Sequence, residues 1–260
     1  MEKEEIVICF GQQPCGFFPK RYLYAKIETA RKLQKEIGGR IIFFYHDSDA
    51  DYRETITLLI DPKTKEEVRL NFNVENKIQK KYSPLYKKII GGGWQEEIIR
   101  KLPRFTSKEI IEIFKSANGE TSADFCLDMY KKLGLLDGIE VIRSSDKDFR
   151  MKANELSHFY ADVEYEGEIV RAEMHEGALR LHEGGGKYFN IPVPEKIEKW
   201  QKNAGRDERF HWMQSVLHIT HYIAGASESD YLTKEDFPEV KFVDRDFIEN
   251  SNHAYISREL

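Results

Sequence analysis

The sequence predicts an α/β protein: a Rossmann-like parallel sheet with an inserted helical region and small antiparallel hairpins. Three observations carry that expectation. Two short runs, IVICF at 6–10 and RIIFFY at 40–45, are continuously apolar, as strands covered on both faces must be. Between them, Leu23, Ile27, Ala30, Leu33 and Ile37 recur at three and four, the period of a helix. A strand, a helix and a second strand of this kind form a βαβ crossover, which makes the strands parallel.

The remaining elements follow in order. Gly38 and Gly39 end the first helix, expected over 22–37, because glycine takes up the left-handed cap at no steric cost. TITLLID (55–61) and EEVRLNF (66–72) flank PKTK and read as a hairpin. A helical insertion follows over about 74–133, broken at Ser83-Pro84, Gly91–Gly93 and Pro103. Thr106-Ser107 and Thr121-Ser122 supply hydroxyls suited to cap helix starts. GIEVIRS (138–144) is a third strand candidate. Short alternating runs over about 159–182 read as a β-meander. The Gly184–Gly186 run before Lys187 is followed by tyrosine, so it reads as a hairpin turn and not as a phosphate loop, which needs Ser or Thr there. A helix is expected at 207–217, a strand in HITHYIAG (218–225), a helix opening at 227–232 and a last strand in VKFVD (240–244). No repeat or long linker interrupts the chain, so residues 1–260 read as one domain.

Composition narrows the function. The 260 residues are 40% hydrophobic and 33% charged, with a net charge of −5. That balance argues against a general nucleic-acid coat, which needs a basic surface; tRNA stays open through the lysines between 77 and 101. No apolar run approaches the roughly 20 residues that cross a bilayer. The MEKEE start lacks a signal pattern, and three cysteines are few, odd in number and outside zinc spacing. A cytoplasmic location is expected. Cys15, in the first loop, reads as a bystander.

In open α/β sheets ligands bind beyond the carboxyl ends of the strands, so two loops matter. The first is GQQPCGFFPKR (11–21). Gly11 lets backbone approach a ligand, Gln12 and Gln13 offer donors and acceptors, and Lys20 and Arg21 stand where helix amides already favour an anion. The second is YHDSDADYRE (45–54), with His46, Asp47, Asp49, Asp51 and Glu54. Acids at this density suit a Mg²⁺ ion, a ligand amine or a proton transfer, or form a solvated acidic turn.

These residues bring a resemblance into view. Gly11-Gln12-Gln13, then Tyr22, Lys26, Ala30 and Leu33, then Asp49, Asp51 and Glu54, then Tyr222, Gly225, Glu228 and Tyr231, follow the order of motifs in the cysteine-adding enzymes of bacillithiol biosynthesis, the BshC family. The chain resembles a short, core-only relative: it lacks the family's coiled-coil region, and Ala50 stands at the histidine of the Asp-His-Asp motif, with His46 nearby as a spatial substitute. The resemblance implies a core of the nucleotidyltransferase type, shared with class I aminoacyl-tRNA synthetases and pantothenate synthetase. It also implies a ligase-type enzyme forming a C–N bond between an amino acid, such as cysteine, and a small sugar- or acid-based acceptor. ATP and Mg²⁺ come as expected cofactors by fold, though the histidine pair and the lysine-rich loop of those folds are missing. The expected catalytic residues are Asp49, Asp51 and His46. Gly11, Gln12, Gln13, Lys20, Arg21, Tyr22, Lys26, Gly225 and Glu228 are expected to bind substrate, with no protein metal site. The expected partners are small molecules, and a homodimer is admitted. Two alternatives stand beside this reading: an ATP-dependent adenylyl or aminoacyl transferase, and a non-catalytic module that binds a small molecule.

Overall fold

A computed structural model describes residues 5–61, 63–225, 228 and 234–256. In chain order these form β1 (Val7–Gln12), α1 (Arg21–Ile37), β2 (Arg40–Tyr45), β3 (Thr57–Ile60), β4 (Glu67–Leu70), α2 (Lys77–Tyr82), α3 (Trp94–Lys101), α4 (Lys108–Ser116), α5 (Ser122–Lys132), β5 (Ile139–Arg143) and α6 (Lys147–Lys152). There follow β6 (Phe159–Tyr165), β7 (Glu168–His175), β8 (Ala178–Gly184), β9 (Lys187–Ile191), β10 (Lys202–Ala204), α7 (Arg209–Leu217), β11 (His221–Ala224) and β12 (Lys241–Asp244).

Five of these strands make a wholly parallel sheet in the order β12-β11-β1-β2-β5. Its central strands β1 and β2 bury both faces, and the edge strands β5 and β12 are only partly covered. Ile8, Phe10, Ile41, Phe43 and Tyr45 pack toward the face that α1 and the helical insertion cover. Val7, Cys9, Ile42 and Phe44 pack on the other, against Phe149, Trp212 and Met213 of α6 and α7. The unbroken apolar runs thus follow from two-sided burial, because successive side chains alternate between faces. β3 and β4 form the expected hairpin. An aromatic cluster of Phe17, Phe72, Trp94, Phe114 and Phe125 fastens the insertion to the first loop. Ser107 and Thr121 cap α4 and α5, each accepting a backbone amide three residues on.

The meander is larger than the sequence suggests. It is a five-stranded antiparallel sheet, β10-β6-β7-β8-β9, with its own core around Val163, Val170, Leu179, Leu181 and Ile191. β9 escapes a reading by pattern because its five residues are mostly exposed. β10 has only three residues and pairs with β6 across some forty positions of sequence. Gly184, Gly185 and Gly186 all hold positive φ in the β8–β9 turn, the backbone region that glycine tolerates best. Trp200, which a helical pattern would bury, stays exposed beside Lys147. The helix expected at 227–232 lies outside the described residues, apart from Glu228.

One buried ion pair ties the two sheets together. Arg150 on α6 donates to Asp162 on β6 at 2.7 Å, to the Ser144 carbonyl and to the Trp200 carbonyl. Among the described residues no helix is long and apolar enough to cross a membrane.

Candidate functional site

The strand order reverses at β1. From it the chain passes outward to β2 and β5 on one side, and β11 and β12 lie on the other. The carboxyl ends of β1 and β11 therefore open a crevice, the place where such sheets bind ligands. A cavity of about 510 Å³ occupies it.

Lys26 organises the floor. It is a charged residue on the inward face of α1, almost wholly buried, and a buried ammonium needs partners for its charge and its protons. It donates to the Gly11 carbonyl at 2.8 Å, to Glu228 at 2.5 Å and to Gln12 Oε1 at 3.4 Å. Glu228 in turn accepts from the Gly225 amide at 2.6 Å and from the Tyr222 hydroxyl at 3.2 Å. The network continues the other way. Gln12 donates to Gln13 at 3.0 Å and to the Tyr22 hydroxyl at 3.3 Å, and Gln13 donates to Asp49 at 3.2 Å. One hydrogen-bonded chain thus crosses the floor from Asp49 to Glu228. Residues drawn from four distant segments of sequence meet in it.

Gly11 has a steric role here. A Cβ at Gly11 would stand 2.6 Å from His46 Nε2 and 2.9 Å from the Tyr222 hydroxyl. Only glycine lets both side chains lie over that backbone. His46 follows β2 directly, lines the cavity and is buried. Burial holds its imidazole well below the ordinary histidine value, and the positive charges of Arg209 and Lys26 push it lower still. It is therefore neutral at pH 7. Among the described residues nothing hydrogen-bonds its ring nitrogens, so a ligand in the cavity can.

The cavity wall is rich in cations. Lys20, Lys26, Arg206, Arg209 and Arg245 line it against the carboxylates Glu54 and Glu228. Lys20 faces Glu54 at 3.5 Å. Arg209, the first residue of α7, approaches Asp49 at 3.6 Å. In a concave, partly desolvated site such an excess selects anions.

The acidic loop after β2 divides between three tasks. Asp47 is fully buried and joins the ends of β2 and β5: it accepts from Arg143 at 2.5 Å, from Ser144 at 3.1 Å and from the Ser145 hydroxyl at 2.7 Å. Asp49 accepts the Ala50 and Asp51 amides, which shapes the turn. Burial would raise the Asp49 carboxyl, but Arg171, Arg209 and these hydrogen bonds outweigh it and hold it down at about 2. Asp51 is engaged by Arg53 at 2.7 Å. Both Asp49 and Asp51 line a second opening, between this loop, α2 and the meander.

Of the expected site residues, Gln12, Gln13, Lys20, Tyr22, Lys26, His46, Gly225 and Glu228 line the first cavity. Gly11 supplies its floor, and Asp49 reaches it through Gln13. Two residues are not brought in. Asp51 is turned away by its pairing with Arg53. Arg21 is placed on the far side of the helix start, its amide bound to the His253 carbonyl and its Nε buried with no partner among the described residues. Tyr231 lies outside the described residues. Cys15 is buried, and burial raises its thiol above the ordinary value, as a bystander's would be.

Sequence reading missed Arg206, Arg209 and Arg245. Their segments carry only mixed-charge surface patterns, GRDERF and VDRDF, and nothing local marks them. The topology brings them to the mouth. Among the described residues no three His, Cys, Asp or Glu side chains cluster in a way that could hold a metal ion; Asp49 and Asp51 are committed to arginines. Lys20, Arg206, Arg209 and Arg245 fit a polyphosphate or a polycarboxylate.

No family model matches the chain, and no curated protein matches it.

Proposed function

We propose that the protein is a small-molecule enzyme of the ligase type, joining an amino acid to an anionic acceptor, with the first cavity as its active site. One observation carries this reading: a buried, neutral imidazole with no hydrogen-bond partner among the described residues stands at the topological switch point inside a ring of cations. The cations suit the carboxylates of an amino acid and of an acid-bearing acceptor such as glucosaminyl-malate. The ordered resemblance to the cysteine-adding enzymes supports the same reading, and the segments that carry it converge on this cavity.

The roles follow from the chemistry. The attacking amine arrives mostly as an ammonium and must lose a proton before it bonds to a carboxyl carbon. His46 is the group suited to accept it, being neutral, in reach of the cavity and without a competing partner. Asp49, held at about 2, is too weak a base for that step; its place is to anchor Gln13 and Arg209. Gln12, Gln13 and Tyr22 orient substrate, and Arg209, Arg245 and Lys20 hold its anionic groups and offset charge that grows on the carboxyl oxygen. ATP, when bound, would activate the carboxylate, so that one carboxyl oxygen would leave with a phosphate-bearing group as the C–N bond forms and the amine's proton passes to His46; the same cations would hold its phosphates.

The test is direct. Purified protein is incubated with ATP, magnesium, cysteine and glucosaminyl-malate, and the condensed thiol is sought by mass spectrometry. Product is expected, and His46→Gln should lower turnover by about 10²- to 10⁴-fold, the usual contribution of a general base. Absence of product from folded protein, or full turnover by His46→Gln, would reject the assignment.

A further inference from the structure

The second opening holds about 680 Å³, and Asp49 on its wall touches Gln13 and Arg209, which line the first cavity. Nothing in the proposed reaction uses it, and its chemistry differs. One side is the exposed face of α2, with Lys77, Lys80 and Lys81. The other is the β8–β9 hairpin, with Arg180 and Tyr188. Arg171 and Tyr160 form the base, stacked at 3.5 Å from guanidinium to ring centre.

Two features point to a ligand. The first is charge. The opening is lined by six cations (Arg53, Lys77, Lys80, Lys81, Arg171, Arg180) against four carboxylates (Asp49, Asp51, Glu173, Glu183). Three of those carboxylates are taken up by Arg53, Arg180 and Lys81. Lys77, Lys80 and Arg171 have no carboxylate within ion-pair distance among the described residues. The second is the aromatic surface. Tyr52, Tyr160 and Tyr188 all line the opening; Arg180 lies over the Tyr188 ring at 4.3 Å and His182 packs beside it, yet Tyr188 stays 45% exposed, which leaves ring surface for a further stacking partner. Lys80 lies over the Tyr52 ring at 5.0 Å, and Arg171 also donates to Asn203 and to the Ala204 carbonyl, so the charge left without a carboxylate sits on an exposed lysine bank; with a half-exposed ring on the other bank, it matches a ligand with phosphate at one end and a planar ring at the other.

We infer that this cleft binds a nucleoside phosphate, its phosphate against Lys77 and Lys80 and its base on Tyr188, either as a free nucleotide or as the end of a single nucleic-acid strand. The inference stands independently of the chemistry proposed for the first cavity. Asp49 gives the site its use: it touches Gln13 and Arg209 of the first cavity, so a ligand seated in the cleft lies next to the proposed reaction centre.

Binding of ADP, of inorganic phosphate and of a fluorescein-labelled ten-nucleotide single-stranded RNA is measured on the full chain by calorimetry and fluorescence anisotropy. The variants are Lys77→Glu/Lys80→Glu and Tyr188→Ala, both on exposed side chains, with circular dichroism as the folding check. ADP or the RNA should bind at least tenfold tighter than phosphate. The charge-reversal variant should weaken that binding by at least tenfold. Tyr188→Ala should weaken it by at least fivefold, about the lower end of a lost base–aromatic stack. Tighter binding of the RNA with a steep salt dependence assigns the ligand to a strand end; tighter or equal binding of ADP assigns it to a free nucleotide. The inference fails if neither probe binds, if phosphate binds as well as both, or if binding is indifferent to both variants. None of these results depends on turnover, so the proposed reaction and this site can fail separately.

Discussion

The two openings meet at Asp49 and handle charge in opposite ways. In the first cavity the central pair, Lys26 and Glu228, leaves 3% and 15% of its side chains exposed; Lys26 also donates to Gly11 and Gln12, and Glu228 also accepts from the Gly225 amide and the Tyr222 hydroxyl. In the cleft the nearest counterpart, Arg53 with Asp51, leaves 84% and 34% exposed. The first arrangement is rigid, because a desolvated ion loses heavily if its partner leaves. The second is loose, since solvent replaces either partner at little cost. A floor built from buried pairs suits the holding of reacting groups in fixed positions. A bank of solvated cations suits the capture of a charged ligand that must come and go.

The sharpest way to break that contrast is Lys26→Met. It leaves the Glu228 carboxylate without its countercharge, held only by the Gly225 amide and the Tyr222 hydroxyl, and takes the Lys26 donor from the Gly11 carbonyl. Urea denaturation should report a loss of about 3–5 kcal/mol, the range for breaking one half of a buried pair. The double variant Lys26→Met/Glu228→Gln should recover part of it, because the stranded charge goes with its partner; such non-additivity marks a direct interaction. A loss below about 1 kcal/mol for the single variant would mean that the floor is no more rigid than the cleft.

How much of this was legible in the sequence depends on the kind of signal each part leaves. Two-sided burial writes itself into continuous apolar runs, so β1 and β2 could be read from it; β5, β11 and β12 carry mixed runs and stood only as short strand candidates. Capping hydroxyls and paired glycines marked helix ends. Gln12 stood out in the loop after the first strand and His46 in the loop after the second, while Lys26 entered only through the motif order of the resemblance. Arg206, Arg209 and Arg245 left no such mark, because their use comes only from the crossing that places β11 beside β1 and β12 beyond it, with α7 packed on the same side. Asp47 and Asp51 sit in the same acidic loop as Asp49, and sequence alone could not separate them. Their different roles come from Arg143, Arg53 and Arg209, two of which lie about a hundred residues or more downstream.

Asp49 is the seam, and its titration measures how strongly the two openings are coupled. A carboxyl held at about 2 against an ordinary 3.8 favours the ionised form in the folded state by about 2 kcal/mol. The folded-state value is depressed, so this stability is fully present above about pH 4 and is lost as pH falls toward 2. Asp49→Asn does not titrate there. The stability of wild type relative to Asp49→Asn should therefore fall by about 2 kcal/mol between pH 5 and pH 2, read from urea midpoints at each pH. A difference that stays flat across this window would mean that Arg209 and Arg171 do not stabilise the ionised form.

The smallest expected effect sharpens the comparison most. Asp51 and Asp49 are two residues apart, both acidic and both on the cleft wall, yet only Asp49 is joined to the network of the first cavity. Asp51 contacts Arg53, whose side chain is almost entirely in water. Removal of Arg53 lets water take over the Asp51 carboxylate at once, and nothing buried is left stranded. Arg53→Ala should leave the thermal midpoint and first-cavity turnover unchanged within error. A substantial fall in either would show that the Asp51–Arg53 pair props up the turn holding Asp49. The boundary between a rigid floor and a solvated bank would then lie beyond Arg53, with the outer edge of the cleft as part of the reaction site.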